Sequence, residues 1–562
     1  AVLDVAMAGR GFVLVAAVLF VFVSATLYAV VGLDFFPSVD AGLMRFHLRA
    51  PAGTRIEETE RLVDAVEQRV RRIVPAAELE TIDDDIGVPL FYNLGFVPSE
   101  NASESDAEVV VGLKPSHHAL SAYEDRIRRE VREGFPGSTL YFEQADIVSQ
   151  VLNFGLPAPV DIEVQAPRYQ DAVPIALRLE QALQAIPGVR DVRLGQVLDH
   201  PSLQIDVDRD RAIQVGLTER DVASSVLTSL SSSALVSPNF WINPQNNVNY
   251  FVVVQTPYFH VSDVPTLMAT PITPATPAPE ASTAAGSYGA VVPLPAPPTT
   301  PIAPYLGGLA ALRPTTVRSS IHHETVQPVL DVECGVQGRD LGAVARDIDS
   351  AVARLGKLPA GVSVRVTGQP ETMFTAFGRL GLGMIVAVAL VYLLLVVLFQ
   401  SWIDPLLIMF AVPASLSGVL WMLAATGTTL NVESLMGAIM AVGIAASNSV
   451  LLVHFANDRR MEDGSVVAAE AAVFAGRTRL RPVLMTALAM ILGMLPMALG
   501  LGEGGQQNAP LGRAVIGGLL VSTFATLVVI PCAYAVLRKR PPVMGRHDRA
   551  VAEADRPQGA PA

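Results

Sequence analysis

The chain has 562 residues, 51% hydrophobic and only 17% charged, which is too long for a single core and too poor in charge for an ordinary soluble protein. Its net charge of −13 opposes a nucleic-acid partner. Two cysteines, Cys334 and Cys532, are too few and too far apart for a disulfide framework.

The first apolar run, Gly11–Leu33, is long enough to cross about 30 Å of hydrocarbon, and no small-residue cleavage site interrupts it. Residues 34–378 carry most of the acid excess and alternate helical with strand-like stretches. One pattern recurs four times there: an amphipathic helix, an apolar residue with Pro, then a strand. Arg55–Ile73 leads through Val74-Pro75 to Leu79–Ile82, and Tyr123–Glu133 leads through Phe135-Pro136-Gly137 to Leu140–Glu143. Ala172–Ala185 leads through Ile186-Pro187-Gly188 to Val189–Leu194, and Leu341–Leu355 leads through Leu358-Pro359-Ala360-Gly361 to Val362–Val366. Pro stops each helix and the small residue turns the chain into the strand. Strands Leu43–Leu48, Val109–Leu113, Val160–Val164 and Val329–Glu333 enter these helices, so the units read as two split, ferredoxin-like βαβ subdomains. An excursion at 203–324 interrupts the second. It opens with strand Leu203–Val207 and helix Glu219–Leu230, and contains a Pro/Ala/Thr-rich stretch, Pro265–Pro304, expected to be extended or disordered.

Five more spans follow: Arg379–Phe399, Asp404–Ala425, Val432–Ala456, Leu480–Leu501 and Arg513–Leu537. Arg459, Arg460, Arg477, Arg479 and Arg481 fill one connection, and Arg538, Lys539 and Arg540 follow the last span. Both belong in the cytoplasm, which places residues 34–378 outside. The fourth span carries Ser447-Asn448-Ser449 in mid-membrane, where polar groups are functional candidates. Gly437, Ala441, Ala445 and Ser449 recur every four residues, a stripe suited to close helix approach, while Asn448 needs a hydrogen-bond partner inside the bundle. Arg479 and Thr486 lie two turns apart on one helix face. Arg479 also suits an ordinary positive-inside charge, and Thr486 a bond to its own backbone. No acid lies mid-membrane, since Asp404 and Glu433 sit at span ends. The tail from Pro541 to Ala562 reads as disordered.

No metal site or cofactor is predicted. Met44, Met268, Met373 and Cys334 are dispersed, Asp83-Asp84-Asp85 reads as a solvated run, and His322-His323 are neighbours that do not chelate one ion well. Gly502-Glu503-Gly504-Gly505 lacks the Lys of a phosphate loop, which opposes ATP hydrolysis and leaves no enzyme signature.

In order, Pro51-Ala52-Gly53-Thr54, Gln204-Ile205-Asp206-Val207-Asp208, Gln400-Ser401-Trp402, Val442-Gly443-Ile444, Asn448, Leu480-Arg481-Pro482-Val483-Leu484-Met485-Thr486 and Val515-Ile516-Gly517-Gly518 resemble the C-terminal half of a resistance–nodulation–division (RND) efflux permease of the AcrB-like type. The resemblance implies an α-helical membrane bundle of six spans plus α+β periplasmic porter subdomains with an inserted docking subdomain. Residues 1–33 would hold the first span, 34–158 the first porter subdomain, 159–202 with 325–372 the second, 203–324 the docking insert with its loop 265–304, 373–540 the five-span block and 541–562 a cytoplasmic tail. It implies a homotrimer in the bacterial inner membrane, among membrane lipids, partnered by the N-terminal half of the permease, a periplasmic adaptor protein and an outer-membrane channel. Its expected work is proton-driven export of drugs and other small amphiphilic substrates. The alternatives are a heavy-metal or lipid exporter, or a non-transporting membrane scaffold.

The same resemblance places Arg479, Thr486, Asn448 and Ser447 in a proton relay, with Ser447 standing where the family has Lys. It places Phe91, Leu94, Gly95 and Phe96 on a substrate loop, and Val110, Leu140 and Phe142 along the same cleft. Val110 and Leu140 also suit an ordinary core.

Overall fold

The computed structural model describes residues 2–37, 40, 42–88, 99–145, 150, 151, 153, 155–234, 236–257, 261, 263–274, 303–462, 465–502 and 505–538. The chain forms two compact units, one of Ala1–Val197 with Ser319–Ala562 and one of Leu198–Arg318.

Alternation of period two builds the first sheet. In β1 (Leu43–Arg49), Met44, Phe46 and Leu48 alternate with Arg45, His47 and Arg49, so apolar and charged side chains leave on opposite faces. β1, β2 (Leu79–Ile86), β3 (Asp106–Leu113) and β4 (Thr139–Glu143) pair antiparallel in the order β2-β3-β1-β4. Helix α1 (Ile56–Ile73) follows β1, and α2 (Leu120–Gly134) follows β3. Val63, Val66 and Val70 of α1 and Tyr123, Ile127 and Val131 of α2 pack with Phe46, Leu48, Val109 and Val111 in one buried core. Their three- and four-residue spacing makes one stripe per helix. Each such side chain contributes about 1.5–3 kcal/mol by leaving water.

The second sheet begins with β5 (Val160–Gln165), α3 (Tyr169–Gln184) and β6 (Val189–Leu194). The chain then builds the Leu198–Arg318 unit. There β7 (His200–Val207) precedes a hairpin of β8 (Asn239–Ile242) and β9 (Asn249–Val252), and β10 (Ala310–Val317) pairs antiparallel with β7. Its core gathers Ala212, Leu217, Val222, Leu267, Ile272 and Leu306. The chain returns as β11 (His322–Glu324), β12 (Gln327–Val336), α4 (Leu341–Arg354) and β13 (Ser363–Gly368). These strands order as β11-β12-β5-β13, with β6 also paired to β12. Without β11, the connectivity repeats that of the first sheet, strand–helix–strand twice in a split βαβ order. Gly137, Gly188 and Gly361 turn three of the helix–Pro–strand units at φ of 96°, 90° and 83°, values that favour glycine.

Two expectations need correction. The Pro-rich stretch is not uniformly extended: Val264–Met268 is a short helix, Asp263 caps it by accepting the Thr266 N–H at 2.8 Å, and Leu267 and Ile272 are buried. Residues 275–302 and 539–562, which include the expected disordered tail, lie outside the described residues. Several spans also start earlier than hydropathy suggests.

Among the described residues, six helices are long and apolar enough to cross a membrane: Arg10–Val31, Gln369–Phe399, Ile403–Ala425, Val432–Glu462, Ala468–Ala498 and Gly505–Leu537. The second runs on from β13, and the fifth begins well before Leu480 because Ala, Glu and Arg there favour helix without being apolar. Spans 3, 4 and 6 supply the buried centre, while spans 1, 2 and 5 stay largely exposed on this chain. Small residues set the close crossings. A Cβ on Gly437 would stand 2.7 Å from the Leu511 carbonyl oxygen, and one on Gly518 would stand 2.6 Å from the Ala441 Cβ.

Candidate functional site

The stripe on span 4 packs against span 6, and its last member makes the polar contact. Ser449 Oγ donates to the Ala445 carbonyl at 2.7 Å and lies 3.0 Å from Thr526 Oγ1, with both hydroxyls buried. Thr526 sits in a one-turn π-helix, Ala525–Val529, shortly before Pro531. Pro531 lacks an N–H, which accounts for the local widening. The four expected relay residues are not joined by hydrogen bonds among the described residues. Ser447 is exposed, and Asn448 is half-buried with no hydrogen bond among the described residues, where a partner inside the bundle was expected. Both point away from the span 6 contact, on a face this chain leaves open. Thr486 is exposed and donates to the Val483 carbonyl of its own helix at 3.0 Å. Arg479 stacks on Phe455, 3.8 Å from the ring centroid, and its buried Nε takes no hydrogen bond among the described residues.

A second polar group closes one end of the bundle. Arg538 Nε lies 3.2 Å from the buried Asp404 carboxylate, Asn457 Nδ2 donates to Asp404 at 3.3 Å, and Tyr534 donates to Asn457 Oδ1 at 2.7 Å. Sequence spacing gave no hint of this, because its members come from three spans.

The largest concentration of buried charge lies on the sheet faces that the helices leave uncovered. On the first sheet, register sets Arg45 opposite Glu143, His47 opposite Tyr141 and Arg49 opposite Asp106. Asp106 is fully buried and accepts from Arg49 Nε at 2.6 Å, from the Ala102 and Ser103 amides at 3.1 and 2.9 Å, and from Ser103 Oγ at 2.9 Å; His47 Nε2 lies 3.1 Å away. Burial alone would raise this carboxyl, but the hydrogen bond from His47 and the charge of Arg49 outweigh it and hold it well below the usual carboxylate range. Burial pushes His47 down to about 4 against the pull of Asp106, so the imidazole is neutral. Glu143 goes the other way. Burial raises it to about 8, because Arg45, 3.2 Å away, is shared with Glu108 at 2.6 Å.

On the second sheet Glu333 stands opposite both Asp161 and Arg193. Arg193 pairs with Glu333 at 2.5 Å and lies 3.4 Å over the Tyr141 ring centroid, which ties the two sheets together. Asp161 is raised by burial and by the neighbouring Asp331 carboxylate, and Glu333 is raised by burial despite Arg193. Asp331 accepts from Gln196 Nε2 at 2.6 Å and meets His322 Nδ1 at 2.5 Å, so this His contributes to the network.

Two cavities adjoin these faces. One, of about 540 Å³, separates edge strands β4 and β6 and is ringed by Arg128, Arg132, Arg190 and Arg193 beside Leu140 and Tyr141. The other, of about 30 Å³, is lined by Glu100, Glu143, Gln144, Gln150 and Arg45. Glu143 Oε1 and Gln144 Oε1 are buried without hydrogen-bond partners among the described residues. The expected aromatic cleft is not what the described residues form. Phe142 and Leu140 pack against the first subdomain's core, Phe142 with its ring 5.5 Å from that of Phe46, and Val110 is half-buried on the charged face opposite Arg45. Phe91, Leu94, Gly95 and Phe96 lie outside the described residues. A period-two rhythm of acids within apolar strands, as in Val160-Asp161-Ile162-Glu163-Val164, is the signal that marks the buried network.

A model of the AcrB/AcrD/AcrF family matches residues 1–538. The chain belongs to that family. It is therefore a member of the RND superfamily, and its six long apolar helices fit a multi-pass membrane protein. It is 26% identical over 96% of its length to the cation efflux system protein CzcA of Alcaligenes sp. (strain CT14), covering 48% of that protein. It is equally similar to the cobalt-zinc-cadmium resistance protein CzcA of Cupriavidus metallidurans, again over 48% of the relative. A crystal structure of a heavy metal efflux pump superposes with a TM-score of 0.74 at 26% identity, covering 96% of this chain and 51% of that one. The chain spans about half the length of the curated relatives it matches.

Proposed function

We propose that this chain is the C-terminal half of an RND exporter whose cargo is a divalent metal cation. One observation carries the cargo: alignment over nearly the whole chain with proteins named for cation efflux and for cobalt-zinc-cadmium resistance. This favours the metal alternative over the amphiphile cargo, for which the described cleft residues offer core side chains and arginines rather than an open aromatic surface.

The geometry suits a transient cation station at the small cavity. Its volume is close to that of one water, about 30 Å³. Glu100, Glu143 and the free Gln144 amide oxygen offer hard oxygen donors, which suit Zn²⁺ or Co²⁺ better than a soft monovalent ion. Among the described residues no three His, Cys, Asp or Glu side chains form a ligand set, so the station is incomplete and suits passage rather than storage. Glu143 would release its proton as the cation enters, since ligands bind metal deprotonated.

In this proposal 34–158 and 159–202 with 325–372 are periplasmic porter subdomains, and 203–324 is a docking insert. The exposed hairpin residues Phe240, Trp241 and Tyr250 suit contact with other copies in a trimer. The open face bearing Ser447 and Asn448, with Arg479 and Thr486 on span 5, would meet the N-terminal half and complete a proton relay. The adaptor and outer-membrane channel belong to the same proposal.

The test is a deletion strain complemented with the complete permease, wild type or Glu143→Gln, and challenged with Zn²⁺, Co²⁺, Cd²⁺ and a panel of dyes and detergents. We expect metal tolerance to need the permease and Glu143→Gln to lower it about tenfold, as loss of a metal contact does. Full tolerance in a normally expressed Glu143→Gln strain would remove the station. Sensitivity to dyes and detergents alone would return the cargo to amphiphiles.

A further inference from the structure

Three segments far apart in sequence meet where span 1 leaves the bundle. They are the link Gly32–Phe35, the residues Thr428–Asn431 leading into span 4, and the first turn of α4. Leu33 and Leu430 form a parallel bridge. The Leu430 N–H donates to the Gly32 carbonyl at 3.1 Å, the Asp34 N–H to Leu430 at 3.0 Å and the Val432 N–H to Phe35 at 3.2 Å. Span 4 is fixed at this point, because the Asn431 side chain accepts the Ser434 N–H and the Ser434 hydroxyl accepts the Asn431 N–H, both at 2.8 Å and fully buried.

The other edge of the link holds α4. The first turn of any helix has N–H groups without intrahelical partners. Here the Leu341 N–H donates to Asp34 Oδ1 at 2.7 Å and the Gly342 N–H to the Leu33 carbonyl at 2.8 Å. Asp340 Oδ2 accepts the Ala343 N–H at 2.9 Å and also the Leu33 N–H at 3.1 Å. Two of the three donors are thus satisfied by the link, and the residue that caps the third also grips the link. The approach is backbone-close. A Cβ on Gly342 would stand 2.7 Å from the Leu33 Cβ, and one on Gly32, at φ +73°, would stand 2.9 Å from the Asp340 Cβ. Leu341, Val344, Ala345 and Ile348 root α4 in the second subdomain, so what moves its first turn moves that subdomain.

We propose that this joint transmits displacement of span 4 to the second subdomain, with Asp34 and Asp340 as positioning residues for transport. The proposal rests on the exporter reading above. Span 2 joins the same subdomain through the covalent chain after β13. The joint is a second connection, made only of hydrogen bonds, and it starts from the helix that carries Ser447 and Asn448.

The test compares Asp340→Ala with Asp340→Asn in the complete permease, since an amide oxygen can still accept both N–H groups. Spin labels at Met436→Cys on span 4 and Arg354→Cys at the end of α4 report the coupling directly. We expect Asp340→Ala to broaden the label distance distribution and to cut Zn²⁺ transport into vesicles about tenfold, equivalent to about 1.4 kcal/mol. Trimer assembly and Zn²⁺ binding should hold, and Asp340→Asn should restore both the distances and the transport. An unchanged distance distribution in Asp340→Ala would overturn the joint. Absence of Zn²⁺ transport by the wild type would count against the exporter reading alone, because the distance measurement does not depend on it.

Discussion

The two split-βαβ subdomains share a connectivity and differ in what they bury away from their helices. The first sets Arg45, His47 and Arg49 against Asp106, Glu108 and Glu143. The second gathers Asp161, Asp331 and Glu333 around Arg193, with Gln196 and His322 as further polar partners. The apolar face fixes topology in both, through the same stripes of Val, Ile and Leu beneath two helices. The charged face is under no such constraint, and each buried ion survives only where its own partners compensate for lost water. Asp106 has them and stays an anion. Asp161 has only a long bond from Thr367, at 3.3 Å, with its Oδ1 unpartnered, and stays protonated.

The largest expected effect breaks the better-partnered side. Asp106→Ala strands Arg49 and the Ala102 and Ser103 amides around a void, and should cost about 3–5 kcal/mol. Amide exchange in detergent checks this: β1 and β3 should lose protection while β5 and β12 keep theirs. Next comes acid. The folded His47 value of about 4 lies below that of a free imidazole, so as pH falls the unfolded chain takes the proton first. Stability is then complete above about pH 6.5, declines below it and has lost about 3 kcal/mol by pH 4, from the shift alone. His47→Gln should flatten this acid limb of β1 protection. The second subdomain has no such limb among the described residues. Asp161, Glu333 and His322 are all raised, so its stability is greatest in acid and declines as pH rises.

Much of this fold was legible, because its signals are local. Each helix–Pro–strand unit announces itself through a stripe, a breaker and a turn, and each span through an unbroken apolar run. The buried network was less legible, because Asp106, Tyr141 and Arg193 come together only through register and through the meeting of two sheet edges. In the membrane, Ser447 and Asn448 drew attention by polarity, yet Ser449 makes the buried contact, since helix rotation decides which of three neighbouring residues faces span 6. The joint at Asp34 and Asp340 was hidden for the same reason, as its 307-residue separation leaves no periodicity to read.

The smallest effect sharpens the comparison most. Asp161→Asn replaces a carboxyl that burial and Asp331 already keep neutral with a neutral group of the same shape, and the Thr367 hydroxyl still finds an acceptor. In acid, below about pH 4, where the carboxyl is protonated in both the folded and the unfolded chain, the expected change in β5 protection is within about 1 kcal/mol, as for a single hydrogen bond, and of either sign. As pH rises above the pKa of a free carboxyl, the same substitution should flatten the decline of the second sheet and leave it better protected than the wild type near neutral pH, since the amide has no proton to lose. A cost near that of Asp106→Ala would mean that Asp161 is a buried anion with a strong partner. The two subdomains would then share a balanced charged face as well as a connectivity.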